Sequence, residues 1–269
     1  MTHLPNAPLV YTLGLVRFPP IPQIERFVPA FHDRVRGAYP HLDKIDLQQM
    51  QVEFGPDGAK VAASTLPVWQ MADPIRKSAL VLTAESLVLH TKSYLDHVSF
   101  IDCLTDALTQ LIATPDVRIE WVTGVAMRYL DLVVPSSNKT LSDLLRPSVL
   151  PPALSEVPGL QIAEGMYIAQ YRAPRANVRL QILRNPQIAF PADLNTPLIE
   201  RNGWAIPRPT SEYAVVDTDC AAPLPAALPM DVSVVKAHLY AARGVAKSIF
   251  EHIGSEYAAA LWKGEVVES

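Results

Sequence analysis

An amphipathic helix directly behind the first strand, and a second that waits for four more strands, constrain this chain more than any motif does. Leu9 to Phe18 alternates loosely and carries the β-formers Val10, Tyr11 and Val16, so it reads as a strand. Pro19, Pro20 and Pro22 end it and open a helix, because proline is tolerated in a first turn. Ile24, Phe27, Val28, Phe31, Val35 and Ala38 keep helical spacing, with Pro29 expected to kink the pattern and Tyr39-Pro40 to close it. Strands are expected over Ile45 to Phe54, Val61 to Gln70, Ala79 to Thr83 and Leu87 to Ser93. Gly55-Pro56-Asp57-Gly58 is a turn, and Ala84-Glu85-Ser86 a tight hairpin connection. Asp96 or Ser99 then caps a helix with an apolar stripe of Ile101, Leu104, Leu108, Leu111 and Ile112. Thr114-Pro115-Asp116 ends it.

The second part of the chain reads in the same order. Ile119 to Val134 is a long strand with Gly124 as a bulge, and Leu141 to Leu145 a short helix. Pro147, Pro151, Pro152 and Pro158 stiffen the loop that follows. Leu160 to Arg172, Val178 to Arg184 and Glu212 to Cys220 are strands. Asp231 caps a last helix with Val235, Leu239, Ala242, Ala246, Ile249, Phe250 and Ile253 along one face. The expected fold class is therefore α+β: two similar strand-helix-multistrand-helix halves, residues 1–116 and 117–269, forming antiparallel curved sheet with helices on one face. A proline-rich insertion at 185–210 belongs to the second half.

Composition narrows the function classes. At 49% hydrophobic and 19% charged, the chain can bury a core and is not of disordered type. A net charge of -4 with scattered Lys and Arg excludes the basic cluster that nucleic acid requires. No apolar run reaches membrane-spanning length, and the opening residues lack the regions of a secretory signal. Cys103 and Cys220 match no ligand spacing and read as free thiols, with Cys103 expected near the buried face of its helix. The expected location is cytoplasmic.

Chemistry-bearing residues are few. Asp217 and Asp219 lie two apart on a strand and share a face, so they suit a cation or acid–base work, or simply face solvent near a strand end. Arg128 and Leu130 point one way along their strand, Tyr129 and Asp131 the other. A buried Arg128 needs an acidic partner, for which Asp217 or Asp219 is the candidate, and a structural ion pair at the sheet edge is the favoured reading. The seven histidines make no metal spacing, and His97 is expected to be exposed. There is no Gly-x-Ser-x-Gly elbow and no glycine-rich phosphate loop, so no cofactor is expected. Trp204, in Asn202-Gly203-Trp204-Ala205-Ile206-Pro207, stands on the stiff insertion. It suits either a docking surface or a clamp on the core.

The opening Pro8-Leu9-Val10 through Arg17-Phe18-Pro19-Pro20, the helix ending in Tyr39-Pro40, and Arg128-Tyr129-Leu130-Asp131 carry a resemblance. With Asp217-x-Asp219 and the helix holding Phe250, they resemble a sporadically distributed bacterial family of similar length with no assigned activity. Asp131 stands where that family's pattern has Asn. The element order is also similar to one repeat of the TATA-box-binding-protein architecture, which implies a fold and no function. From these readings the chain is expected to be a non-catalytic binding protein with a protein partner. The sporadic distribution of the resembled family implies a defence or immunity setting. The alternative is a small-molecule-binding domain or enzyme with a pocket between sheet and helix, using Arg128, Asp131, Asp217 and Asp219. A homodimer joined edge to edge is compatible with either.

Overall fold

The computed structural model describes residues 4–55, 58–152, 154, 157–160, 162–187, 190–191, 194, 208–224 and 226–265, with backbone alone for 48–55 and 58–64. Trp204 and most of the 185–210 insertion lie outside the described residues. So do Pro56 and Asp57 of the expected turn.

The strands are β1 (Leu9–Arg17), β2 (His41–Gly55), β3 (Gly58–Ala72), β4 (Ser78–Leu82), β5 (Ser86–Thr91), β6 (Trp121–Val122), β7 (Gly124–Val133), β8 (Gly165–Ala173), β9 (Ala176–Arg184), β10 (Ala214–Ala221) and β11 (Leu228–Pro229). The helices are α1 (Val28–Val35), α2 (His97–Ile112), α3 (Leu141–Leu144), α4 (Val232–Ile253) and α5 (Glu256–Trp262). The class is α+β. One antiparallel sheet of nine strands runs in the order β2-β3-β4-β5-β1-β7-β10-β9-β8, and β11 pairs separately with β6.

The two parts of the chain share this one sheet. They meet where β1 pairs with β7, from Arg17 opposite Gly124 to Leu9 opposite Asp131, with a register irregularity between Leu9 and Tyr11. On each side of that seam the first strand pairs with the last, β1 with β5 and β7 with β10. Of the nine strands of this sheet the first part supplies five and the second four, β2 being the one without a counterpart.

Two readings are corrected. Pro29 opens α1 rather than kinking it: a 3-10 turn over Ile24–Arg26 precedes, and the proline occupies the first helical turn, where its missing N–H costs nothing. The long strand from Ile119 breaks at Thr123. Trp121–Val122 leave the main sheet to pair with β11, and Gly124 starts β7.

All five helices pack on one face. Met127, Cys220 and Val178 of the sheet meet Phe100, Leu104, Leu108, Val235, Leu239 and Ala242. Farther along the same strands, Val133, Val216 and Ile182 meet Leu141, Ile253 and Trp262. Asp96 caps α2 by accepting from the Val98 and Ser99 amides, and Asp231 caps α4 through Ser233. Gly14 sits beneath α2. A Cβ there would come 2.8 Å from Leu104 and 2.9 Å from Phe100, so the helix reaches the strand only because that atom is absent. The other face buries Tyr11, Leu13, Val81, Val88, Leu130 and Val215 beneath Phe190, Leu194 and Tyr213. Among the described residues none of α1–α5 contributes to that cluster.

Candidate functional site

Arg128 stands directly opposite Asp219, in mid-sheet, on the helix-free face. Its side chain runs diagonally to Asp217, where Nε donates to Oδ1 at 2.8 Å and Nη2 to Oδ2 at 2.7 Å. Two parallel N–H···O bonds make a bidentate pair, the strongest form of this contact. Gln181 Nε2 also donates to Asp217 Oδ2, at 3.4 Å. Arg128 is 6% exposed and Asp217 1%, so the pair is interior. Of the two acids expected as partners of Arg128, Asp217 makes the bidentate pair, while the expected place, a sheet edge, is not where the pair lies. β7 and β10 are inner strands because each part of the chain adds its last strand to its first. Asp219 is half-buried, opposite Arg128 on one side and Arg179 on the other.

His90 and Tyr11 lie on the same face and were not singled out from sequence. His90 is opposite Leu13, which is in turn opposite Arg128. Its ring lies 5.9 Å from that of Tyr11, and Tyr11 packs edge-on against Phe190 at 5.2 Å. Burial lowers the His90 pKa from 6.5 to about 3, so the ring is neutral. The available signal was its place in Ser86–Thr91, a strand buried along its whole length, where period 2 puts His90 with Val88.

Asp131 is on the opposite face, as alternation from Arg128 requires. It is buried in the layer between sheet and helices, and burial alone raises its carboxyl from 3.8 to about 7. No charge and no hydrogen bond offsets that among the described residues. Nearby on this face Thr12, Tyr129 and Thr218 form one cross-strand row. The Thr12 and Thr218 hydroxyls are buried and lack hydrogen-bond partners among the described residues. Tyr94 packs edge-on against Tyr129 at 6.1 Å, and burial pushes both phenols up. The structure therefore brings Arg128, Asp217 and Asp219 together and leaves Asp131 apart.

Other expectations fall differently. Cys103 is exposed rather than near the buried face, one helical position past Asp102, while Cys220 is buried; both thiols are free. His97 is half-buried, with its ring 5.9 Å from that of Tyr240. Among the described residues no His, Cys, Asp and Glu group is placed to hold a metal ion. No helix among them is long and apolar enough to cross a membrane.

The most exposed apolar ground lies at one margin of the sheet. β8 is the terminal strand, and Met166, Ile168 and Tyr171 on it are 61%, 47% and 44% exposed. Leu154, Val157 and Leu160, in the stiff loop before it, are also exposed. β8 and β9 meet through a two-residue turn closed by Ala173 opposite Ala176. Counting back from that closing pair, antiparallel alternation turns the backbone N–H and C=O of Met166, Ile168, Gln170 and Arg172 outward. The opposite edge, β2, carries Asp43, Lys44, Asp46 and Glu53, whereas Arg172 is the one charged residue of β8. Charge is a usual guard against edge pairing, and β8 almost lacks it.

Compared with protein-family models and with curated proteins, the chain finds no match.

Proposed function

We propose that the chain is a non-catalytic binding protein that recognises a protein partner at the β8 margin. The observation that carries this is the weakly charged terminal strand with exposed Met166, Ile168 and Tyr171, flanked by exposed Leu154, Val157 and Leu160. An edge of this kind takes an added strand: backbone bonds supply affinity, and alternate side chains supply specificity. The Arg128–Asp217 pair supports the same reading from the other side, since each charge meets the other's in the interior. A photo-crosslinker placed at 168 in cells tests it. One discrete protein adduct is expected from 168 and none from 234, an exposed position on α4. Equal labelling at both positions, or none at 168, overturns the proposal.

One observation favours a second reading, a ligand held between sheet and helices. The Thr12 and Thr218 hydroxyls are buried without hydrogen-bond partners among the described residues, and buried Asp131, its carboxyl raised by burial, lies on the same face under the helices. Buried polar groups are ordinarily paired, and a polar ligand or ordered water would pair these. Native mass spectrometry of the purified protein tests it: a bound small molecule lost in Asp131→Ala supports this reading.

A further inference from the structure

Resting on the proposal that β8 is a working edge, we infer that the strand it receives is β8 of a second copy, in a two-fold antiparallel pairing centred on Ile168. The sequence around β8 is self-complementary in one register. Glu164, just before the strand, and Arg172, near its end, are the charged residues between 162 and 173. They lie equally far from Ile168, so centring the pair there sets Glu164 of each copy opposite Arg172 of the other. A shift of the centre by one residue either way sets Arg172 opposite Met166 or Ile162, and no charged pair forms. The same register places Met166 opposite Gln170 and Ile168 opposite itself. Large Tyr171 falls opposite Gly165, where it meets the Pro151 side chain packed over that glycine.

The backbone agrees with this register. Met166, Ile168, Gln170 and Arg172 are the strand residues whose N–H and C=O point away from β9; the register sets Met166 opposite Gln170 and Ile168 opposite itself, and carries Arg172 to Glu164, the next position of the same alternation. Directly opposed residues of an antiparallel pair share a face. The two helix-free faces therefore continue into each other, and the two sheets of nine strands become one. Self-association through an isologous patch is the commonest closed arrangement for identical chains, and it removes the exposed edge of both copies at once.

The test is the mass of the full chain in solution with charge-reversal variants. The parent is expected to elute with twice the mass of one chain. Glu164→Arg or Arg172→Glu alone sets like charges opposite each other twice per dimer and weakens association about tenfold or more. The double variant Glu164→Arg/Arg172→Glu restores the parent mass. Independently, Ile168→Cys in a Cys103→Ser background, which removes the other exposed thiol, is expected to form a disulfide-linked dimer under mild oxidation. Val234→Cys in that background is expected not to. A parent that stays at the mass of one chain, or a double variant as weak as the singles, overturns the self-pairing. If Ile168→Cys instead links to a different protein in lysate, the self-pairing fails and the binding proposal stands. If it links to nothing, both fail.

Discussion

Replacing Asp131 by asparagine is expected to stabilise the protein at neutral pH and to make its stability rise with pH where the parent's is level. Asp131 is buried on the helix face, with its carboxyl raised from 3.8 to about 7 by burial. An acid whose folded pKa lies above its unfolded one holds more protons in the folded chain. Stability therefore falls as pH rises from about 4 to about 7. At 1.36 kcal/mol per unit, about three units amount to ~4 kcal/mol by pH 7. His90 acts in the opposite sense. It is neutral in the fold, with its pKa lowered from 6.5 to about 3, so the unfolded chain takes up a proton first and stability is lost as pH falls from about 6.5 toward 3. Between about pH 4 and 6.5 these two slopes, each about 1.4 kcal/mol per pH unit, cancel in the parent. Asp131→Asn removes one of them. The new amide needs partners, and leaving it unpaired costs about 1–3 kcal/mol, so the net gain at pH 7 is about 1–3 kcal/mol. Urea midpoints followed by tryptophan fluorescence from about pH 4 to about pH 8 measure both curves. The variant's stability should climb between about pH 4 and 6.5 while the parent's stays flat. Parallel curves across the whole range would refute the reasoning, because they would mean that the Asp131 carboxyl titrates at its ordinary pKa.

Further perturbations follow from the packing. Asp217→Ala removes the bidentate acceptor of buried Arg128 and, with Asp219 still opposite the guanidinium, should cost about 3 kcal/mol, whereas Arg128→Met/Asp217→Leu recovers most of that loss. A double-mutant cycle by chemical denaturation checks this, and a single-variant loss below about 1 kcal/mol would contradict it. Gly14→Ala pushes a methyl into Leu104 and Phe100 and should cost about 1–3 kcal/mol, while Gly37→Ala, with open space around its Cα, should change little. Thermal melts of the two variants compare them directly. Asp96→Ala removes the acceptor of the Val98 and Ser99 amides at the start of α2 and should cost about 1 kcal/mol in the same assay.

The elements with strong local signals were legible in the sequence. Asp231 stands where a side-chain oxygen meets the free amides of a helix start and caps as read, and of Asp96 and Ser99, the two candidates for α2, it is Asp96 that caps. Period 2 placed Arg128 and Asp131 on opposite faces, and the need of a buried guanidinium for an acid pointed to the Asp217 strand. What local pattern could not supply was strand order. That β7 lies between β1 and β10, which moves Arg128 from an edge to the interior, depends on long-range pairing that no window of sequence contains. His90 was passed over for a related reason. A lone histidine looks unremarkable until strand order sets β5 inside the sheet, between β4 and β1, where every residue of the strand is buried. Pro29 was misread because one residue in a helical pattern signals both a kink and a start, and the 3-10 turn before it decides between them. The outward turn of the β8 backbone is likewise a consequence of pairing, although the scarcity of charge in Gly165–Ala173 is visible in the letters.

The central claim is that β8 is an edge in use, and residue-resolved hydrogen exchange across a range of protein concentrations tests it most directly. The amides of Met166, Ile168, Gln170 and Arg172 point away from β9, while those of Tyr167, Ala169 and Tyr171 bond to it. The account predicts that the outward set exchanges fast in dilute protein and slows with rising concentration, while the inward set stays slow throughout. An outward set that exchanges at one rate over the whole concentration range would contradict it.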